Sequence, residues 1–171
     1  QTAEELARID PLTGLFNRRA FIEQGEQALA TAQRSDRPLS LVILDIDHFK
    51  SINDQFGHAV GDQAIQGVAR LLQETCRRGD VVARWGGEEF ILLLPETNRS
   101  QATFLAERLR QKIEETPLRT GDTAITLTAS MGVASRDRHV SLDALVSEAD
   151  RQLYRAKECG RNRVCGYCQA G

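Results

Sequence analysis

The chain has 171 residues and a formal net charge of −2, with acids and bases interspersed along its length. Such a length and apolar content suit one domain with its own core, and the charge argues against a broad nucleic-acid or membrane-binding surface. No apolar run approaches membrane-spanning length and no signal peptide is recognisable, so direct membrane insertion is not expected and a cytoplasmic location is. The first residue is Gln1 rather than Met, as expected of a piece cut from a longer chain. Four cysteines, Cys76, Cys159, Cys165 and Cys168, do not make the framework of a small secreted domain and are expected to be incidental reduced thiols.

In chain order, Phe21, Ile22, Ala28 and Leu29 predict an N-terminal helix. The run LSLVILDI, Leu39 to Ile46, follows Pro38 and has strand length. Val60, Ala64, Ile65, Val68, Leu71 and Leu72 then recur at helical spacing, with Asp62 as the expected N-terminal cap. Val81 to Arg84 and Phe90 to Leu94 read as a hairpin joined through Gly86 and Gly87. A second amphipathic helix starts at Ser100, carries Phe104, Leu105, Leu109 and Ile113, and stops before Pro117. Ile125, Leu127, Ala129, Met131 and Val133 alternate with polar or small residues and predict a half-buried strand. A last helix runs from Leu142 to Lys157, stopped by Gly160, and residues 163–166 could add an edge strand.

The order strand, helix, strand, strand, helix, strand is the ferredoxin-like pattern, here α+β with a mixed sheet and flanking N- and C-terminal helices. In that topology the first and third strands are antiparallel neighbours. The end of the first, Asp45-Ile46-Asp47, therefore lies beside the start of the third, Glu88-Glu89. Carboxylates brought together repel unless a cation separates them, and a divalent metal is the simplest candidate.

Five segments carry a resemblance: DPLTGLFNRR (Asp10 to Arg19), DIDHFKSINDQFGHAVGD (Asp45 to Asp62), RRGD (Arg77 to Asp80), GGEEF (Gly86 to Phe90) and AKECGRNRV (Ala156 to Val164). Together, in this order and spacing, they resemble the diguanylate cyclases of the GGDEF-domain family, in the GGEEF variant. The resemblance implies a palm-type fold over residues 11–165, the end of an upstream linker helix at 1–10 and a C-terminal tail at 166–171. It implies condensation of two GTP molecules to cyclic di-GMP with release of two pyrophosphates, across two apposed copies of the domain. Each active site would take two Mg2+ or Mn2+ ions. An upstream regulatory domain is expected, and no nucleic-acid partner.

Residue by residue, the resemblance implies Asp45, Glu88 and the Ile46 carbonyl as metal ligands, with Asp47 either assisting or bracing the strand end. Glu88 is also the family's candidate for accepting the 3′-hydroxyl proton, although a metal-lowered hydroxyl pKa could serve instead. Glu89 would organise the hairpin or a neighbouring metal. The turn His48-Phe49-Lys50 offers backbone N–H groups to phosphate, and Lys50, Lys157 and Arg161 add positive charge. Asn53 and Asp62 would read guanine, and His58 would touch the substrate or simply cap a helix. Gly86 and Gly87 are expected to take backbone angles other residues resist and to leave room for a nucleotide. Arg77 and Asp80 match the family's product-inhibition site, and Arg108 a position from which a second domain completes it. The alternative is a catalytically silent sensor of GTP or cyclic di-GMP. An ordinary purine nucleotide cyclase would share the sheet-edge chemistry but not these motifs.

Overall fold

The computed structural model describes residues 7–137 and 140–166. Cys168 and most of the stretch expected to end a linker helix lie outside them. Residues 7–10 are a turn and a bridge, Ile9 with Phe16, so the expected helix does not reach Asp10.

The elements in order are α1 (Arg18–Ser35), β1 (Leu39–Ile46), α2 (Phe49–Phe56), α3 (His58–Thr75), β2 (Val81–Arg84), β3 (Glu89–Pro95), α4 (Arg99–Glu115), β4 (Leu118–Thr120), β5 (Thr123–Ile125), β6 (Ala129–Ser135), α5 (Leu142–Glu158) and β7 (Val164–Cys165). Five strands form one sheet in the order β2-β3-β1-β6-β7, while β4 and β5 make a separate hairpin. β1 is antiparallel to both β3 and β6, and β7 runs parallel to β6. The fold is α+β, with a mixed sheet between two helical layers.

The reason LSLVILDI is apolar without interruption is that β1 is covered on both faces. Val42, Leu44 and Ile46 pack with Phe90, Leu92 and Leu94 under α3 and α4. Leu39, Leu41 and Ile43 pack with Ile91 and Leu93 under α1 and α5. Side chains alternate between faces along a strand, so Asp45 and Glu89 continue the face that α5 covers. Asn17 caps α1, Asn98 and Gln101 form a capping box on α4, and Ser141 caps α5.

The structure corrects four further expectations. α3 begins at His58 behind Gly57, whose φ of 94° suits only glycine, so Asp62 lies one turn inside the helix instead of capping it. The segment after β1 is not merely a turn: His48, at φ 55°, leads into the eight-residue helix α2. The strand expected from Ile125 to Val133 is broken, because Thr123–Ile125 pairs with β4 while β6 starts only at Ala129. β6 is also buried on both faces, not one, since Gly132 and Ala134 lie beneath α5.

Candidate active site at the sheet edge

The register places Asp45 directly opposite Glu89, and the Ile46 N–H donates to the Glu88 carbonyl at 3.2 Å. The expected convergence of the two strand ends is therefore present in the backbone itself. α5 adds a cation to this edge: Lys157 Nζ donates to Asp45 Oδ2 at 2.6 Å. Burial above all, then the fields of Glu88 and Asp47, push the Asp45 carboxyl above its usual range, and the lysine offsets only part of this. Burial and the field of Asp45 raise Glu89 likewise. Burial pulls Lys157 down, but its hydrogen bond to Asp45 and the fields of Asp45, Glu89 and Glu88 raise it overall.

An edge whose acids stay under-compensated beside a lysine is one that favours a further cation. Among the described residues no three His, Cys, Asp or Glu side chains form a protein-only metal cage. Two carboxylates and a carbonyl oxygen are nonetheless a fitting donor set for a hard ion such as Mg2+, which commonly leaves its remaining positions to water and phosphate.

These shifts have a sign that can be measured. A carboxyl whose pKa rises on folding is most favourable when protonated, and its contribution is lost as pH rises from the unfolded toward the folded value. Glu89→Gln is therefore expected to stabilise the metal-free protein at pH 7. The gain over the parent should vanish as pH falls below about 4.3, the ordinary glutamate value. Melting temperatures of both proteins in chelator across that range check this, and a gain that persists in acid would contradict it.

Asp47 is placed differently. Its Oδ1 accepts from Ser130 Oγ at 2.6 Å, and its Oδ2 accepts from Thr128 Oγ1 at 2.8 Å and from the Asn162 N–H at 3.0 Å. Three donors on a buried carboxylate favour the bracing role over metal ligation.

The GGEEF turn is held by its flanks. The N–H groups of Trp85 and Gly86 both donate to the Glu89 carbonyl, at 2.8 and 3.3 Å. Arg84 donates from Nη2 to the Gly87 carbonyl at 2.8 Å and from Nη1 to Asp10 Oδ1 at 3.2 Å. Arg84 thus ties the DPLTG turn to the hairpin, a part sequence reasoning did not assign it. The signal available was only its place two residues before Gly86. Neither Gly86 nor Gly87 has a left-handed φ, which corrects the expectation of unusual backbone angles. A Cβ at Gly87 would meet nothing within 4 Å, so there is open space in front of the turn there, whereas one at Gly86 would touch the Glu89 side chain at 3.4 Å.

Beside this edge, α2 and α3 carry the remaining expected contacts. Lys50 is exposed on the first turn of α2, and Asn53 is half-buried one turn on. Exposed His58 opens α3, and exposed Asp62 follows one turn later. His48 is exposed, and Phe49 packs against the core. No ion pair ties Lys50 or Arg161 to the acids among the described residues. Sequence reasoning also missed Gly61. A Cβ there would lie 1.8 Å from Asn53 Oδ1 and 3.2 Å from the Phe49 ring, so the Asn53 amide rests against α3 because position 61 has no side chain.

A profile described as "Diguanylate cyclase, GGDEF domain" matches residues 7–163. The chain belongs to the diguanylate cyclase GGDEF-domain family. It is 44% identical over 165 residues to diguanylate cyclase DgcM of Escherichia coli K12, covering 94% of this chain and 38% of that protein. It superposes with a TM-score of 0.90 and 36% identity on the GGDEF domain of DgcB from Caulobacter crescentus in complex with c-di-GMP, covering 94% and 93% of the two chains. With the active GGEEF domain of a diguanylate cyclase from Vibrio cholerae the TM-score is 0.84 and the identity 38%, covering 90% and 98%. Against the curated relatives it matches, the chain spans between 24% and 49% of their length.

The GGDEF domain carries a second polar cleft, away from the acidic edge. Arg77, Asp80 and Arg108 share a cavity of about 230 Å³ with Thr75, Thr97 and Gln101. Asp80 is turned inward, its Oδ2 accepting the Arg77 N–H at 2.8 Å, so it braces the RRGD turn. Arg77 Nη2 donates to Thr97 Oγ1 at 2.8 Å and to the Pro95 carbonyl at 3.0 Å, while most of its side chain stays exposed. Next to Arg77 in the chain, burial and the Asp80 charge push the Cys76 thiol up to about 12, so it carries little thiolate at neutral pH. No helix among the described residues is long and apolar enough to cross a membrane.

Proposed function

We propose that this GGDEF domain condenses two GTP molecules into cyclic di-GMP. Each 3′-oxygen forms a bond to the α-phosphorus of the other nucleotide, each α-phosphorus releases pyrophosphate, and the two hydroxyl protons leave to base or solvent. The observation that carries this reading is the under-compensated acidic edge where Asp45 meets the GGEEF turn on two central strands. A cluster of acids held rigid beside open space is suited to receiving a cation together with a polyphosphate.

In this reading Asp45, Glu88 and the Ile46 carbonyl hold Mg2+ or Mn2+, which supplies charge neutralisation at the phosphates and lowers the pKa of the attacking hydroxyl. Two ions per site is the stoichiometry we propose. The left-handed His48 followed by the first turn of α2 directs free backbone N–H groups of Phe49 and Lys50 toward phosphate. Lys50, Lys157 and Arg161 complete the positive side. Asn53 and Asp62 pair with the guanine edge, His58 lies at its rim, and Gly86 and Gly87 leave the nucleotide room. One such edge holds one GTP, so the reaction needs two domains facing each other in a two-fold dimer. Input arrives from a regulatory domain upstream in the full-length chain, and the domain works in the cytoplasm.

Cyclic di-GMP also acts as inhibitor at the Arg77, Asp80 and Arg108 cleft. Arg77 can fork onto a phosphate there or stack on guanine. The test is a product assay with GTP and Mg2+, with Arg77→Ala run beside the parent. Cyclic di-GMP is expected from both proteins, with inhibition by added product lost in the variant. Cyclic GMP, or nucleotide binding without turnover, would overturn the cyclase reading. Inhibition that survives in Arg77→Ala, or yields to more GTP, would overturn the cleft.

Base selection should fail in a predictable way. Gly61→Ala is expected to fold as well as the parent, since alanine is better in a helix by about 1 kcal/mol. Its methyl displaces the Asn53 amide, so the preference for GTP over ATP should fall about tenfold, as loss of a buried hydrogen bond costs ~1–3 kcal/mol. Competition binding of the two nucleotides measures this. Undiminished selectivity would show that guanine is read elsewhere.

A further inference from the structure

Asn162 stands in the GRNRV motif, yet neither the cyclase reaction nor product inhibition gives it a part. The chain leaves α5 through Gly160, at φ 120°, and then places Arg161 at 65° and Asn162 at 47°. Two consecutive non-glycine residues in the left-handed region persist only when their surroundings hold them there. The Arg161 N–H donates to the Ala156 carbonyl at 2.9 Å and its carbonyl accepts from Arg163 Nε at 3.1 Å, but the contacts that tie these two residues to other elements fall on Asn162. Its N–H donates to the buried Asp47 carboxylate at 3.0 Å, its Oδ1 accepts from Arg110 Nη1 at 2.9 Å, and its Nδ2 donates to Glu114 Oε2 at 2.8 Å. It is thereby fastened to the end of β1 on one side and to α4 on the other. Arg161 next to it has an exposed side chain with no hydrogen bond or ion pair among the described residues.

We propose that Asn162 is a positioning residue, whose clasp between Asp47 and α4 holds the left-handed turn that aims Arg161 at the triphosphate of bound GTP. This rests on the GTP reading of the sheet edge. The alternative is that the clasp only docks β7 onto β6. The two differ in what they do to binding, because a docking strap affects stability and all ligands alike. A clasp acting through Arg161 affects only the phosphates that Arg161 reaches.

The experiment is calorimetric binding of a GTP analogue with a methylene bridge between its α- and β-phosphates, beside binding of GMP, in the presence of Mg2+. Asn162→Ala is expected to weaken the triphosphate about fivefold and to leave GMP unchanged. Arg161→Ala should do the same, and the double variant should be no weaker than Arg161→Ala alone. Glu114→Ala cuts one strand of the clasp from the surface and should weaken the triphosphate in the same direction. If Asn162→Ala does not fold, Glu114→Ala decides between the clasp and the strap. Losses that multiply in the double variant, equal weakening of GMP, or unchanged affinity in Asn162→Ala and Glu114→Ala would each overturn the proposal. A parent that makes cyclic di-GMP while the variants bind normally overturns this inference alone. A parent that binds neither nucleotide overturns the GTP reading and this inference with it.

Discussion

Glu88→Gln is expected to keep the fold and to lower cyclic di-GMP formation by at least about a hundredfold, the cost of removing one charge aimed at the reacting centre, ~3 kcal/mol. Glu88 is half-buried in the turn before β3, and its carbonyl already accepts the Ile46 N–H. The amide therefore changes the side chain's charge and leaves the backbone bond in place. Product chromatography, with melting temperature and Mn2+ binding measured on the same preparation, checks this. A folded variant that turns over at the parent rate would remove Glu88 from the ligand set, and with it the account of the edge.

Gly132→Ala should cost stability on a comparable scale. A Cβ at Gly132 would come within 2.0 Å of the Ala149 carbonyl and 2.4 Å of the Leu153 nitrogen, both backbone atoms of α5. No side chain can swing away to make room, so the whole helix must retreat from β6. Overpacking of this kind costs about 3 kcal/mol or somewhat more, which in a chain of this size lowers Tm by roughly 6–12 °C. Because α5 carries Lys157 onto Asp45, activity should fall as well, even where the variant remains folded. A Tm within about 2 °C of the parent would show that α5 re-seats freely, since 1 kcal/mol corresponds to ~2–4 °C here.

Much of this architecture was written in short-range patterns. The unbroken LSLVILDI run and the helical spacings of α4 and α5 follow from burial, which each residue records for itself. Once the strand order was set, the meeting of Asp45 with Glu88 and Glu89 followed from topology alone. Other features were not legible because they depend on partners far away in the chain. Nothing near Asp47 announces Thr128, Ser130 or Asn162 as its donors. Gly61 reads as an ordinary helical glycine until the Asn53 amide is seen lying against it. The start of α3 was misplaced because Asp62 is a good cap by composition. Gly57, with its positive φ, had already turned the chain ahead of it. Gly86 and Gly87 looked like conformational necessities as well as spacers, yet neither takes a positive φ.

The opposing charges at the sheet edge are mounted on different elements. Asp45 ends a strand flanked by hydrogen-bonded neighbours on both sides, whereas Lys157 sits in the last turn of a helix that ends two residues before a left-handed glycine. Fraying of that turn would withdraw the cation while every acid stayed where it was. Withdrawing Lys157 would leave acids that are already under-compensated without the cation that offsets part of their repulsion, and without any rearrangement of the sheet. The place of the cation is thus set at the end of a helix, just ahead of the turn that Asn162 clasps, and the place of the acids at the end of a strand.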